Sequence, residues 1–262
     1  MTRGSGAHLR HLLHALVNAV QSAALAPDCV ACRLPLEHPL LGPVCPACWA
    51  SLARLSAPAC DRCGASLPTA AAPTGPSAEG VRCSPCERQT HAVDRTRAAH
   101  EYEGALRPII QAYKFESRES LAGPLGMRLR TCAPDLLAGA ACAVPVPLHA
   151  WRRMTRGFNQ AERLARELGL PVVHALWRRR RTAPQSGLHA DARHTNVQGA
   201  FAVAPWLRQT VRQRYLTGQA VVLVDDVRTT GATLEACAAV LKSLGVQEVR
   251  ALTVARASAS VR

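Results

Sequence analysis

The chain has 262 residues, 48% hydrophobic and 19% charged, a balance that excludes general disorder and suits one sizeable core with a small satellite module. Lys and Arg number 32 against 18 Asp and Glu, a formal net charge of +14. The surface field therefore favours polyanions such as nucleic acid, nucleotides or diphosphates, although an Arg- and Ala-rich chain also follows from GC-rich coding, so charge alone assigns no partner. No run reaches the roughly 18 apolar residues of a membrane-spanning helix, and with no secretory signal pattern the expectation is a cytoplasmic protein without a membrane span.

In residues 1–24, Leu9, Leu12, Leu13, Leu16, Val17 and Val20 recur at helical spacing. His8, Arg10, His11, His14, Asn18 and Gln21 interrupt them, which predicts a short amphipathic helix that packs on the folded body, with membrane-surface binding as the alternative use. Residues 25–92 carry eight of the eleven cysteines as four Cys-x-x-Cys pairs: Cys29/Cys32, Cys45/Cys48, Cys60/Cys63 and Cys83/Cys86. Two thiolates so spaced grip one tetrahedral ion and a second pair completes the set, so about two structural zinc ions are expected. Sequential pairing gives one site from Cys29, Cys32, Cys45 and Cys48 and another from Cys60, Cys63, Cys83 and Cys86. A disulfide framework belongs to secreted proteins, and a redox Cys-x-x-Cys predicts one pair and not four. The stretch Leu67 to Gly80 is rich in Pro, Ala and Gly, so folding of this module is expected to depend on metal binding. Gly64 suits a turn that presents N–H groups to sulfur. Cys132, Cys142 and Cys237 stand alone and read as small core residues.

From about Val93 to the end, residues 93–262, the pattern becomes α/β. Ala141 to Pro147 and Pro171 to Leu176 are apolar runs, Asn159 to Leu168 is helical, Ala220 to Val224 is a strand, Ala232 to Leu244 is helical and Glu248 to Val254 closes the domain. This alternation predicts a parallel sheet flanked by helices. Asn159 and Glu162 resemble a capping box, with Gly169 and Gly245 as helix stops. The chemistry centres on Val221-Val222-Leu223-Val224-Asp225-Asp226-Val227-Arg228-Thr229-Thr230-Gly231-Ala232-Thr233, an apolar strand running into two acids, a hydroxyl-rich turn and a helix. Ligands of open α/β sheets bind at the carboxyl ends of strands. N–H groups at a helix start, Thr hydroxyls and a close-approach glycine hold phosphate there, while Asp225 and Asp226 are placed to accept from two ribose hydroxyls. Walker and Rossmann glycine patterns are absent. The competing reading is an Asp-rich turn that only caps a helix.

This segment resembles the 5-phosphoribosyl diphosphate (PRPP) motif of type I phosphoribosyltransferases. Tyr102-Glu103-Gly104-Ala105-Leu106-Arg107 with Lys114, Val144-Pro145-Val146-Pro147-Leu148, Arg156-Gly157-Phe158-Asn159-Gln160-Ala161, Arg181-Thr182-x-x-Gln185-x-x-Leu188 and Arg193-x-x-Asn196-Val197-x-Gly199-Ala200-Phe201 narrow the resemblance. Together with the four Cys-x-x-Cys pairs they are similar to the ComF family of competence-associated proteins, a double zinc ribbon fused to a type I phosphoribosyltransferase-like domain. The resemblance covers about Cys29 to Arg256.

It implies that Asp225, Asp226, Thr229, Thr230, Gly231, Ala232 and Thr233 bind a phosphoribosyl group. A loop from Leu148 to Asn159, with Arg152, Arg153 and Arg156, would hold diphosphate, for which the planar guanidinium fork is suited. A second loop, Arg178 to Asn196, would close over the reaction centre with Arg181, Thr182, Gln185 and Arg193, and Lys114 would reach the rim. Mg²⁺ would accompany PRPP. The run Arg178 to Arg181 reads equally as a phosphate-backbone contact for nucleic acid. Three functions follow as expectations: a PRPP-using transferase with an unidentified acceptor; a single-stranded DNA-binding accessory with Trp49, Trp151 and Phe158 stacking on bases; and an adaptor for other DNA-uptake proteins.

Overall fold

The structure, a computed structural model, describes residues 27–53, 55, 58–67, 81–116, 118–148, 157–180 and 199–257. The helix expected within residues 1–24 and the spacer at 68–80 lie outside the described residues. The described residues form two compact units, one from those up to Leu52 with those of 103–121, the other from those of 53–102 with those from Ala122 onward.

The first unit holds the Cys29–Cys48 knuckles and the helix Leu106–Phe115. Leu106, Ile109, Ile110 and Tyr113 are fully buried there, the i, i+3, i+4, i+7 stripe of a helix with one covered face.

In the second unit four parallel strands lie in the order β1 (Arg95–Glu101), β6 (Glu248–Arg256), β5 (Ala220–Arg228) and β2 (Cys142–Pro145). The two central strands carry the most apolar sequence, because both of their faces are covered. Val221 to Val224 and Val249, Ala251, Leu252, Val254 and Ala255 have no exposed surface. β1 is not legible as a strand, since at the sheet edge its Arg95, Arg97 and Glu101 remain partly exposed while Thr96, Ala98, Ala99 and His100 turn inward. β5 runs four residues further than the sequence suggests, through both acids to Arg228, because β6 continues alongside it to pair Asp225 with Thr253 and Arg228 with Arg256.

The helix Gln160–Arg166 starts at Asn159, whose side chain accepts from the Ala161 N–H. Glu162 turns its carboxylate to Arg166 at 2.6 Å. Ala161, Leu164, Ala165 and Leu168 share the buried face, and Gly169 ends the turn with φ +75°. The run Pro171–Leu176 gives only a parallel bridge between Val172 and Ala143. Proline has no N–H to extend it, and the chain leaves to form a small antiparallel pair, β3 (Leu176–Arg178) with β4 (Phe201–Val203). Cys142 and Cys237 are fully buried as expected, but Cys132 ends its helix exposed, a correction to its reading as a core residue.

Candidate functional site: two cysteine knuckles and a strand–helix turn

The four Cys-x-x-Cys pairs close sequentially into two clusters, Cys29, Cys32, Cys45, Cys48 and Cys60, Cys63, Cys83, Cys86, with all four sulfurs of each within 4.8 Å of one another. Cys32 and Cys45 sulfurs stand 3.9 Å apart and those of Cys63 and Cys83 3.6 Å apart. Four metal–sulfur bonds of about 2.3 Å make a tetrahedron with edges of about 3.8 Å, while a disulfide would need about 2.05 Å. The donor set therefore fits one metal ion per cluster.

The two clusters repeat one another in detail. Arg33 and Gly64, each just after the second cysteine, take positive φ of 63° and 64°, and each donates its N–H to the carbonyl of the first cysteine, Cys29 or Cys60. The Cys45 and Cys83 N–H groups each donate to the first cysteine's sulfur at 3.3 Å. Each of these two cysteines then begins a short helix, Pro46–Ala50 or Ser84–Arg88. Gly64 thus serves the turn as expected, but the N–H groups that reach sulfur belong to its neighbours.

Burial works to raise the Cys29 thiol, yet N–H groups of Cys32, Cys45 and Ala31 outweigh it and lower the pKa to about 6. The same balance, with donors from Cys63 and Cys83, lowers Cys60 to about 7. Cys48 and Cys86 are pushed up, first by burial and then by the neighbouring sulfurs. Each cluster thus sets a stabilised thiolate beside a thiol that resists ionising, a conflict that a cation among the four sulfurs removes.

The second feature lies where β5 meets the helix Ala232–Ser243. Asp225 and Asp226 are successive strand residues and so face opposite sides of the strand. Asp226 is buried at 8% exposure. Asp225 is partly exposed, with one carboxylate oxygen accepting from the Asp226 N–H at 2.9 Å. Thr229, Thr230 and Gly231 make the turn. Gly231 has φ +85°, and Thr230 Oγ1 accepts from the Ala232 N–H at 3.4 Å. The N-cap residue Gly231 has no side chain to cap the helix, so Thr230 is the side chain that meets its first N–H, and the positive end of the helix dipole lies at this turn.

Four consecutive carbonyls of the second knuckle accept from the sheet. Asp61 O takes Arg97 Nη1 at 2.7 Å, Arg62 O takes the Thr96 N–H at 2.6 Å, Cys63 O takes Arg228 Nη1 at 2.6 Å, and Gly64 O takes Arg256 Nη1 at 3.1 Å. On the other side of the loop, Glu235 accepts from the Ala92 and Val93 N–H groups at 2.7 and 3.3 Å and stands 3.1 Å from His91 Nδ1. Sequence reasoning singled out neither Arg228 nor Glu235. Arg228 sits inside the quoted motif, which was the one signal available, but the acceptor it finds is a backbone carbonyl.

Arg152, Arg153, Arg156, Arg181, Thr182, Gln185 and Arg193 lie outside the described residues, as does Trp151. Lys114 is half-buried in the last turn of the helix Leu106–Phe115 of the first unit. Two expectations are corrected. Phe158 is buried at 6% exposure and cannot stack on a base, and Arg178 is buried in β3 with its guanidinium 5.3 Å from the Phe201 ring centre. Arg178 is thus neither a mobile-loop residue nor a contact for a nucleic-acid backbone, whereas Arg179 and Arg180 are exposed. Trp49 is half-buried.

The family model for the phosphoribosyl transferase domain matches residues 154–262. Competence protein F of Haemophilus influenzae is 32% identical over 185 residues, spanning 67% of this chain and 78% of that protein. DNA utilization protein YhgH of Escherichia coli K12 is 30% identical over 185 residues, 64% of this chain and 74% of its own. A solved structure of the allosteric regulatory enzyme of purine biosynthesis overlaps 52% of this chain and 26% of its own at 23% identity, with a TM-score of 0.33, an overlap too loose to argue from. Among the described residues no helix is long and apolar enough to cross a membrane.

Proposed function

Because this chain belongs to the ComF family of competence proteins, we propose that it binds PRPP or a related phosphoribosyl ligand at the Asp225–Thr233 loop and serves DNA uptake in the cytoplasm. The observation that carries the reading is the junction of β5 with the helix Ala232–Ser243: two acids near the end of the strand, then, after Val227 and Arg228, a Thr-Thr-Gly turn with Gly231 at φ +85° at the helix start. In this reading the N–H groups of the helix start and the Thr229, Thr230 and Thr233 hydroxyls hold the 5′-phosphate. Asp225 and Asp226 accept from the ribose hydroxyls across the strand edge. Arg152, Arg153 and Arg156 meet the diphosphate, which carries Mg²⁺ with it. Arg181, Thr182, Gln185, Arg193 and Lys114 are assigned to the reaction side of the ligand.

We assign a structural zinc ion to each cysteine cluster, on the four-sulfur geometry and on the thiolate preference of this ion. We propose that the sequence is organised as segments 1–24, 25–92 and 93–262. The role in DNA uptake rests on the names of the two relatives and on the +14 charge, with single-stranded DNA and other uptake proteins as the proposed partners. The test is calorimetric titration of the zinc-loaded protein with PRPP and Mg²⁺, followed by an assay for diphosphate release with and without single-stranded DNA. Binding is the expected result. Absence of binding would refute the reading, and release of diphosphate would extend it from binding to transfer.

A further inference from the structure

The second cysteine knuckle and the phosphate loop are held together by bonds made at both ends of the loop. Before it, Arg228 Nη1 donates to the Cys63 carbonyl at 2.6 Å. The same guanidinium lies against Gly231, since a Cβ built there would meet Arg228 Nε at 3.2 Å. After it, Glu235 in the first turn of the following helix grips the N–H groups of Ala92 and Val93, in the strap that leads from the last cysteine of the knuckle, Cys86, into β1. Between knuckle and loop is a cavity of about 310 Å³ lined by Arg62, Cys63, Thr96, Arg228, Thr230 and Glu235, with neither Asp225 nor Asp226 in its wall. Continuous packing therefore does not join the two features at that point. The hydrogen bonds do, and the cavity leaves room for the loop to move when they are lost.

The acceptors in the knuckle are the backbone carbonyls of Asp61, Arg62, Cys63 and Gly64, in the turn that carries Cys60 and Cys63, two of the four sulfurs of the second cluster. In small cysteine modules metal binding supplies the folding free energy, so these carbonyls hold their places only while the site is loaded. We propose that the Cys60–Cys63–Cys83–Cys86 site, acting through Arg228 and Glu235 as positioning residues, keeps the Thr229–Thr233 loop in its ligand-ready shape, so that occupancy of this metal site and of the phosphoribosyl site reinforce one another. The inference rests on the phosphoribosyl reading of the loop. Its direction follows from linkage: if the loaded knuckle favours the binding-competent loop, a ligand in the loop favours the loaded knuckle by the same factor.

The test uses the full-length, reduced, zinc-loaded protein, ribose 5-phosphate as probe, and a chromogenic chelator to follow metal release. Saturating ribose 5-phosphate should slow the release of one of the two metal equivalents at least about fivefold, the low end of ordinary coupling between sites, and leave the other unchanged. Arg228→Met should retain both equivalents but lose this protection and bind ribose 5-phosphate more weakly by a similar factor. Arg228→Lys, which still donates to the Cys63 carbonyl, should recover part of both. An arginine that only stabilised the fold would lower the melting temperature and leave the protection intact. If the parent protein binds ribose 5-phosphate in the calorimeter and both ions leave at unchanged rates, the coupling is overturned while the phosphoribosyl reading stands. Equal protection of both ions would overturn the assignment to the second knuckle, and failure to bind either ribose 5-phosphate or PRPP would overturn both ideas. Should Arg228→Met not fold, the release rates of the parent protein decide the matter alone.

Discussion

Replacing Gly231 by Ala puts a methyl group where the backbone has φ +85° and where Cβ would stand 3.2 Å from Arg228 Nε and 3.7 Å from its Nη2. An L-residue in the left-handed region is disfavoured by roughly 1–2 kcal/mol. The neighbour here is the flexible end of an arginine, so the steric part adds little if the guanidinium shifts, but that shift strains its bond to the Cys63 carbonyl. The penalty can appear in either of two places. If the empty loop keeps its shape, stability falls by about 1–2 kcal/mol, lowering the melting temperature by about 2–8 °C at roughly 2–4 °C per kcal/mol for a protein of this size. If the empty loop relaxes to a negative φ, binding must restore the strained turn, and affinity for ribose 5-phosphate falls by a factor of about 5–30. Urea unfolding and calorimetric titration on the same preparation measure both parts, and the two should sum to about 1–2 kcal/mol. A variant with parental stability and parental affinity would refute the reasoning, because no strained turn would then be required for binding.

The paired acids give a separate test: Asp225→Ala with Asp226→Ala removes acceptors worth roughly 1.5–3 kcal/mol each to charged or strongly polar partners. PRPP affinity should therefore drop more than about tenfold with an unchanged circular dichroism spectrum, and unchanged affinity would reduce the turn to a helix cap. Elemental analysis of reduced protein should find about two zinc ions per chain, and chelation should expose the knuckle residues to proteolysis first; a metal-free, folded preparation contradicts this. The repeated knuckles predict opposite responses at equivalent positions. Gly64→Ala, at φ +64° with its Cβ 2.9 Å from the Thr96 carbonyl oxygen, should destabilise by at least about 1–2 kcal/mol, whereas Arg33→Gly, which relieves a positive φ of 63°, should be neutral or mildly stabilising in urea unfolding. Single-stranded DNA affinity should fall steeply with salt as phosphate contacts release counterions, and salt-independent binding would exclude a phosphate-backbone mode.

Patterns that depend on residues near one another in sequence were readable without coordinates. Four Cys-x-x-Cys pairs at short separations can close only a few ways, and the sequential closure is the one found. The run Val221-Val222-Leu223-Val224 announces a strand covered on both faces, and the acids, threonines and glycine after it mark a strand end turning into a helix, because each residue type there answers a local backbone or hydrogen-bonding need. What the sequence left undecided depends on neighbours far along the chain. β1 is hidden in Arg95–Glu101 because an edge strand keeps its charges, and it is recognisable as a strand only beside β6. Phe158 and Arg178 look like surface groups in a basic stretch until packing buries them, and Cys132 looks apolar until its helix ends in solvent. The link from the second knuckle to the Thr229–Thr233 loop was the least legible feature. Arg228 and Cys63 are 165 residues apart, and the acceptor is a main-chain carbonyl that every residue type carries, so only the folded chain could decide which arginine would find it.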